Sequence, residues 1–276
     1  MVPKIGFMQG RLCDPVGSKI QAFPWDQWKT EFEVSRELDI RLMEWTLDQD
    51  NLYGNPLMTS SGKREIADLC RKYNVEVPSV TGDCFMQAPF WGTSDAEKKH
   101  KLKEDFIAVC DASSEIGIKF IIVPLVDAGA LESQAQEDEL VDFLRGNLSL
   151  FQKINIRVIF ESDYNPFELA RFMERLPEEV FGVNYDIGNS AALDFDPREE
   201  FAAYGPRILN IHVKDRILGG TTVPLGCGNA KFGVVFNEIR KINYSGNFIL
   251  QTARAEDGDH RGAIEKYKNM VEEWGD

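Results

Sequence analysis

Four side chains in the second half of the chain are of types that hold divalent cations: Glu161, Asp186, His212 and Gln251. Each lies at or near the end of a short apolar run, in "VIFES", "FGVNYD", "LNIHV" and "NFILQT". A polar side chain inside such a run bears a desolvation cost unless something uses it. His212 is the one histidine in any of these runs. Three oxygen donors and one imidazole nitrogen at a common point form a mixed set. It suits Mn, Mg, Co or Zn with open coordination positions rather than a closed structural zinc site. An open ion can hold a substrate's hydroxyl and carbonyl oxygens and polarise the carbonyl. The adjacent C–H is thereby acidified, and Glu161, a carboxylate beside the ion, could take its proton. Lys214, two residues after His212, is a second candidate catalytic group, as an acid or as a charged contact to a substrate oxygen.

A common point requires a scaffold whose strands all end on the same side. Eight β-rich runs recur along the chain, at 4–9, 40–45, 75–80, 119–126, 157–162, 181–186, 208–213 and 247–252. Their apolar residues are neighbours rather than strict alternates, as in parallel strands covered on both faces. Between them lie stretches with apolar residues every three or four positions, the mark of amphipathic helices. Several of these begin at capping signals, such as Thr93-Ser94-Asp95 and Asn165-Pro166. A βα unit repeated about eight times in about 250 residues predicts an α/β protein with the (β/α)8 TIM barrel architecture. With no linker or low-complexity tract, residues 1–276 are expected to form a single domain. The first strand is followed by "GRLCDPVGSKIQAFPW", which lacks the G-x-G-x-x-G of an open nucleotide-binding sheet.

Functional groups of such a barrel sit at the C-terminal strand ends. Gln9, Arg11, Glu44, Asp83, Asn189 and Arg254 occupy those ends and are expected to contact substrate. Any one acid after a strand is more often a helix cap or turn former; their recurrence at nearly every strand end is what points to a site. Arg11 and Arg254 could hold a phosphate or carboxylate, and the "LGCG" loop at 225–228 could wrap a phosphate with backbone amides.

With 45 acidic against 31 basic residues the net charge is -14, which disfavours nucleic-acid partners. Hydrophobic content of 43% and charged content of 28% suit a soluble globular chain. Five scattered cysteines without a C-x-x-C pair point to reduced thiols. No segment reaches the roughly 18 apolar residues of a membrane span, so a soluble cytoplasmic protein is expected. The aromatic segments "AFPWDQW" (22–28) and "APFWG" (88–92) could form a lid or a subunit contact in a homo-oligomer, or pack on the barrel.

The stretches "IFESD", "NYDIGN", "NIHVKDR" and "FILQTAR", with "HVKD" followed by "VPLGCGNAKF", resemble the sugar phosphate isomerase/epimerase family, the xylose-isomerase-like TIM barrels. The resemblance implies that Glu161, Asp186, His212 and Gln251 bind a divalent metal. In the family the last of these is a glutamate, and the two glutamates form the acid/base pair. Gln251 departs from this pattern: an amide oxygen still coordinates but takes up no proton near neutral pH. Asn189 departs from the histidine common at that distance after the aspartate. The implied function is a metal-dependent isomerase or epimerase of a small sugar, ketose or sugar phosphate, with Lys214 or a water molecule replacing the second carboxylate. Two alternatives stand beside it: a dehydratase starting from the same proton abstraction, and a degenerate barrel that binds sugar without turnover. Apurinic endonucleases share the barrel but use histidine-rich metal clusters. This chain has only His100, His212 and His260, and an adverse charge.

Overall fold

Eight parallel strands close into a barrel in the computed structural model, which describes residues 3–17 and 19–275. They are β1 (Lys4–Met8), β2 (Leu42–Thr46), β3 (Ser79–Thr81), β4 (Phe120–Leu125), β5 (Arg157–Ser162), β6 (Phe181–Asp186), β7 (Ile208–Val213) and β10 (Asn247–Leu250). Each pairs with its sequence neighbour in the barrel, and β10 returns to β1 with Gly6 opposite Ile249. Between β7 and β10 lies a small antiparallel hairpin of β8 (Asp215–Arg216) and β9 (Thr222–Val223). The register sets Pro124 beside Glu161 and Asp186 beside His212, so the polar strand ends meet at one level.

The expected barrel is therefore present, with local differences that have physical causes. The third run was expected at 75–80, but Pro78 offers no N–H to a ladder. The continuous strand starts only at Ser79, and Glu76 makes an isolated bridge to Leu42. The helical stretch 137–154 divides at Asn147 into α5 (Gln134–Gly146) and α6 (Leu148–Lys153), where the Asn147 side chain turns back onto the Phe143 carbonyl at 2.8 Å. Both expected caps form: Asp95 accepts from the Glu97 and Lys98 amides, and Asn165 builds a reciprocal capping box with Glu168 at the start of α7 (Pro166–Glu174).

The aromatic segments are core apart from the exposed Trp25. Phe23 and Trp28 pack against Trp45 of β2 with ring centroids 5.4 and 5.6 Å apart. Phe90 and Trp91 are buried, and the Trp91 indole donates to the Gly129 carbonyl at 3.0 Å. Burying side chains of this size stabilises the fold by about 1.5–3 kcal/mol each, so these segments anchor loops to the barrel instead of forming an exposed lid. No helix among the described residues is long and apolar enough to cross a membrane.

Candidate active site

β5, β6 and β7 carry Glu161, Asp186 and His212 to one point: Asp186 and His212 are register partners, and Glu161 follows the Phe160–Val183 pair. His212 Nδ1 lies 3.1 Å from Glu161 Oε2 and 3.8 Å from Asp186 Oδ2. All three side chains are buried, and their nearest ligand atoms fall within 4.8 Å of one another. The other imidazole nitrogen, Nε2, is 2.7 Å from Glu44 Oε1. Glu44 is fully enclosed and also accepts from Ser79 Oγ, Thr81 Oγ1 and Asn210 Nδ2. It was expected to touch substrate; it lies instead beneath the histidine, where its bonds fix the ring. Two mid-strand amides complete this layer. Asn184 Nδ2 reaches both His212 Nδ1 (3.0 Å) and Glu161 Oε2 (3.2 Å), while Asn210 Nδ2 donates to Asn184 Oδ1 (2.8 Å).

The site is built to attract positive charge. Burial alone would lower the His212 pKa, yet the Glu44 charge and the bonds to Asp186, Glu161 and Glu44 outweigh it and raise the pKa well above the ordinary histidine range. Asp186 is held low: burial opposes its charge, but Lys214 first and then His212 overcome it. Lys214 Nζ sits 2.6 Å from Asp186 Oδ2 and 2.9 Å from Gln251 Oε1. Its ionic partner is thus Asp186. A divalent cation fits this donor set. Two carboxylates and an imidazole converge, and the carboxylate of Glu44 on the far nitrogen leaves Nδ1 to face the ligand point, an arrangement that fixes ring orientation in metal sites. The fourth expected ligand differs, since the Gln251 carbonyl is engaged by the Lys214 ammonium.

Gln251 belongs to a wall of linked amides. Its Nε2 donates to Gln21 Oε1 at 3.1 Å, and Gln21 Nε2 donates to Asp83 Oδ2 at 2.7 Å. Asp83 is pushed up to about 7, first by burial and then by the charges of Asp48 and Glu161, against the Gln21 bond and Arg11. Asn189 Nδ2 holds Glu161 Oε1 at 2.5 Å, and its Oδ1 accepts from Arg216 at 2.8 Å. The Asp186 carboxylate accepts from the Asn189 backbone amide at 2.8 Å and so caps the start of the short helix α8 (Ile187–Ala192). Above these groups opens a cavity of about 670 Å³, lined among others by Asp83, Glu161, Asn189, Lys214, Arg216 and Gln251.

Besides Glu44, three expected substrate contacts do not line it. Gln9 is fully buried, with its Oε1 accepting from the Thr46 amide. Arg11 donates to the Thr252 and Ile20 carbonyls and to Gln21, and Arg254 donates to the Cys13 carbonyl. The loop at 225–228 wraps an anion as its glycines suggested, but that anion is internal: the amides of Gly226, Gly228 and Ala230 all donate to the buried carboxylate of Asp215 at 2.9–3.0 Å. Gln21, Asn184, Asn210 and Arg216 were missed. The two asparagines carried the signal that marked His212, a polar residue inside an apolar run. Gln21 and Arg216 carried none.

A profile of the family described as xylose isomerase-like TIM barrel matches residues 25–272. A Haemophilus influenzae protein, SgbU, described as a candidate L-ribulose-5-phosphate 3-epimerase, is 22% identical over 241 residues, spanning 81% of this chain and 83% of that protein. The D-allulose 3-epimerase of a Methylomonas species, solved with D-allulose, superposes with a TM-score of 0.76 at 12% identity, covering 98% of this chain and 96% of that one. A xylose isomerase-like TIM barrel protein from Mycobacterium smegmatis, solved with magnesium, gives a TM-score of 0.69 at 16% identity, with 98% and 95% covered.

Proposed function

The chain belongs to the xylose isomerase-like TIM barrel family, and from that premise we propose that it is a divalent-metal-dependent epimerase or isomerase of a small ketose. The observation that carries this reading is the convergence of Glu161, Asp186 and His212, with Glu161 lining an open cavity and Glu44 holding the far side of the imidazole. Glu161, Asp186 and His212 would hold the ion, with Gln251 Oε1 as a further donor where Lys214 releases it. When bound, the ion would supply polarisation of the substrate carbonyl.

The chain's own groups then divide the proton work. Glu161, steadied by Asn189, takes the proton from the carbon next to the carbonyl. An amide at 251 cannot return one to the opposite face. Asp83 serves that role here: it lines the same cavity, and a carboxyl at about 7 is near its midpoint at neutral pH, where proton donation and uptake are both accessible. Lys214 donates an N–H to Gln251 and pairs ionically with Asp186, and it carries a further N–H for a substrate oxygen. All five cysteines are free, which suits work in a reducing cytoplasm.

The test is proton exchange. Mn-loaded protein is incubated in heavy water with D-allulose, D-fructose, L-ribulose and their terminal phosphates, and substrate and product are followed by NMR. Deuterium should enter next to the carbonyl with formation of the epimer or isomer, and both should vanish on chelation and in Asp186→Ala. Asp83→Asn should retain exchange through Glu161 while forming little product. Fully loaded protein that exchanges no ketose would overturn the reading.

A further inference from the structure

Within the reading above, and resting on it, the substrate's charge is the next question. A phosphate dianion is recognised by Arg or Lys forks or by free backbone amides, often at helix N-termini. Apart from Lys19, each such group is either engaged by another partner or does not line this cavity. Arg11 is turned to the backbone carbonyls of Thr252 and Ile20, and Arg254 gives Nη1 to the Cys13 carbonyl while its Nε and Nη2 are buried without a partner among the described residues; neither arginine lines the cavity. The three amides of the glycine loop close on Asp215. The start of α8 is capped by Asp186.

Three cations do line the cavity: Lys19, Lys214 and Arg216. Lys214 lies against Asp186 and Gln251. Arg216 directs Nε and Nη2 to the Gly220 carbonyl and Nη1 to Asn189. Only Lys19, exposed on the loop after β1, is left without such a partner among the described residues. Opposite these stand four carboxylates on the floor and rim, Asp83, Asp127, Glu161 and Asp163, with Asp127 and Asp163 exposed at the mouth. Acid groups accept hydrogen bonds from sugar hydroxyls and repel a phosphate brought between them.

We infer that the substrate is an uncharged, unphosphorylated polyhydroxy ketose, and that the carboxylate rim discriminates against sugar phosphates. Matched pairs decide the matter by calorimetric titration of the Mn-loaded protein: D-fructose against D-fructose 6-phosphate, D-allulose against D-allulose 6-phosphate, and L-ribulose against L-ribulose 5-phosphate. The expected result is that the free ketose of at least one pair binds tenfold or more tightly than its phosphate. In Asp127→Asn/Asp163→Asn, which leaves the proton-transfer groups in place, the phosphate should gain several-fold in affinity and the gap should narrow. A phosphate that binds as tightly as its ketose or more tightly, with proton exchange intact, overturns this inference and leaves the epimerase reading standing. If no member of any pair binds or exchanges, the epimerase reading falls and the substrate class falls with it.

Discussion

Two buried carboxylates in this barrel do opposite work, and the difference lies in their partners. Glu44 is surrounded by donors: burial pushes its pKa up, but His212 above all, then Thr81 and Ser79, bring it below the ordinary value, so it stays charged. Glu44→Gln removes that charge from behind His212, and loss of such an outer partner typically weakens metal binding by about 10–100-fold. A Mn titration of the variant should show this weakening with the fold retained; unchanged affinity would mean that the histidine needs no anchor. Asp83 has one amide donor and two carboxylates acting on it, and its pKa rises from 3.8 to about 7. Between those values the folded protein keeps a proton that the unfolded chain has lost, so its contribution to stability is full below about pH 4 and declines as pH rises through about 7. Asp83→Asn should therefore melt close to wild type at pH 4 and several degrees above it at pH 8 in metal-free protein. A constant difference across that range would place Asp83 at an ordinary pKa. The strand-end residues of this site were legible in the sequence because a polar residue in an apolar run is anomalous. Pairings across strands, such as Lys214 with Asp186 or Gln21 with Gln251, were not, because nothing local to either residue encodes its partner.

Helices position the strands, and the joint between α5 and α7 shows how. Glu137 of α5 is almost wholly buried and receives both guanidinium Nη atoms of Arg171, a contact from Arg175 and the Tyr164 hydroxyl at 2.9 Å. Burial raises its pKa, but the hydrogen bonds of Arg171, Arg175 and Tyr164 together pull it down to about 2. With the ordinary value at 4.5, the stability it contributes is complete above about pH 4.5 and lost as pH falls through about 2. Glu137→Gln should cost up to about 3 kcal/mol at neutral pH. Melting curves at pH 7, 4 and 2.5 should show the gap to wild type closing on acidification, and a gap that stays constant would remove the ion pairs from the account. Element types were readable where periodicity ran long, as in α2 (Ser60–Tyr73) and α4 (Ala96–Glu115). Boundaries failed where one residue overrode the pattern, Pro78 by its missing N–H and Asn147 by its side-chain bond to the backbone. The six-residue α8 has too few turns to display a period, and its existence follows from the Asp186 cap.

At the scale of the whole chain, the site exists only if the barrel closes. His212 and Glu161 come from the later strands, while Glu44, Ser79 and Thr81, which hold the histidine, come from the early ones. The two halves meet at the seam where β1 pairs with both β10 and β2. A rhythm of eight βα units announced the barrel, but the register of that seam joins residues at opposite ends of the sequence and has no local signature. Gly6 occupies it because nothing larger fits: a Cβ there would come within 2.7 Å of Leu42 Cβ, 2.8 Å of Ile249 Cδ1 and 2.9 Å of the Leu42 carbonyl oxygen. One of these contacts is backbone, so the strands themselves must move apart. Overpacking of this kind costs about 1–3 kcal/mol, and at roughly 2–4 °C per kcal/mol for a chain near this size Gly6→Ala should lower the melting temperature by several degrees. Gly233, in α10 (Phe232–Lys241), is the internal control: a Cβ there meets nothing within 4 Å, and alanine in a helix is favoured over glycine by up to about 1 kcal/mol. Gly233→Ala should therefore match or exceed wild type in stability. Because Glu44 lies on β2, two residues beyond the Leu42 that a Cβ at residue 6 would strike, Gly6→Ala should also weaken Mn binding although residue 6 touches no ligand, whereas Gly233→Ala should leave it unchanged. Equal melting temperatures and equal Mn affinities in the two variants would show that closure at β1 and β10 does not govern the site.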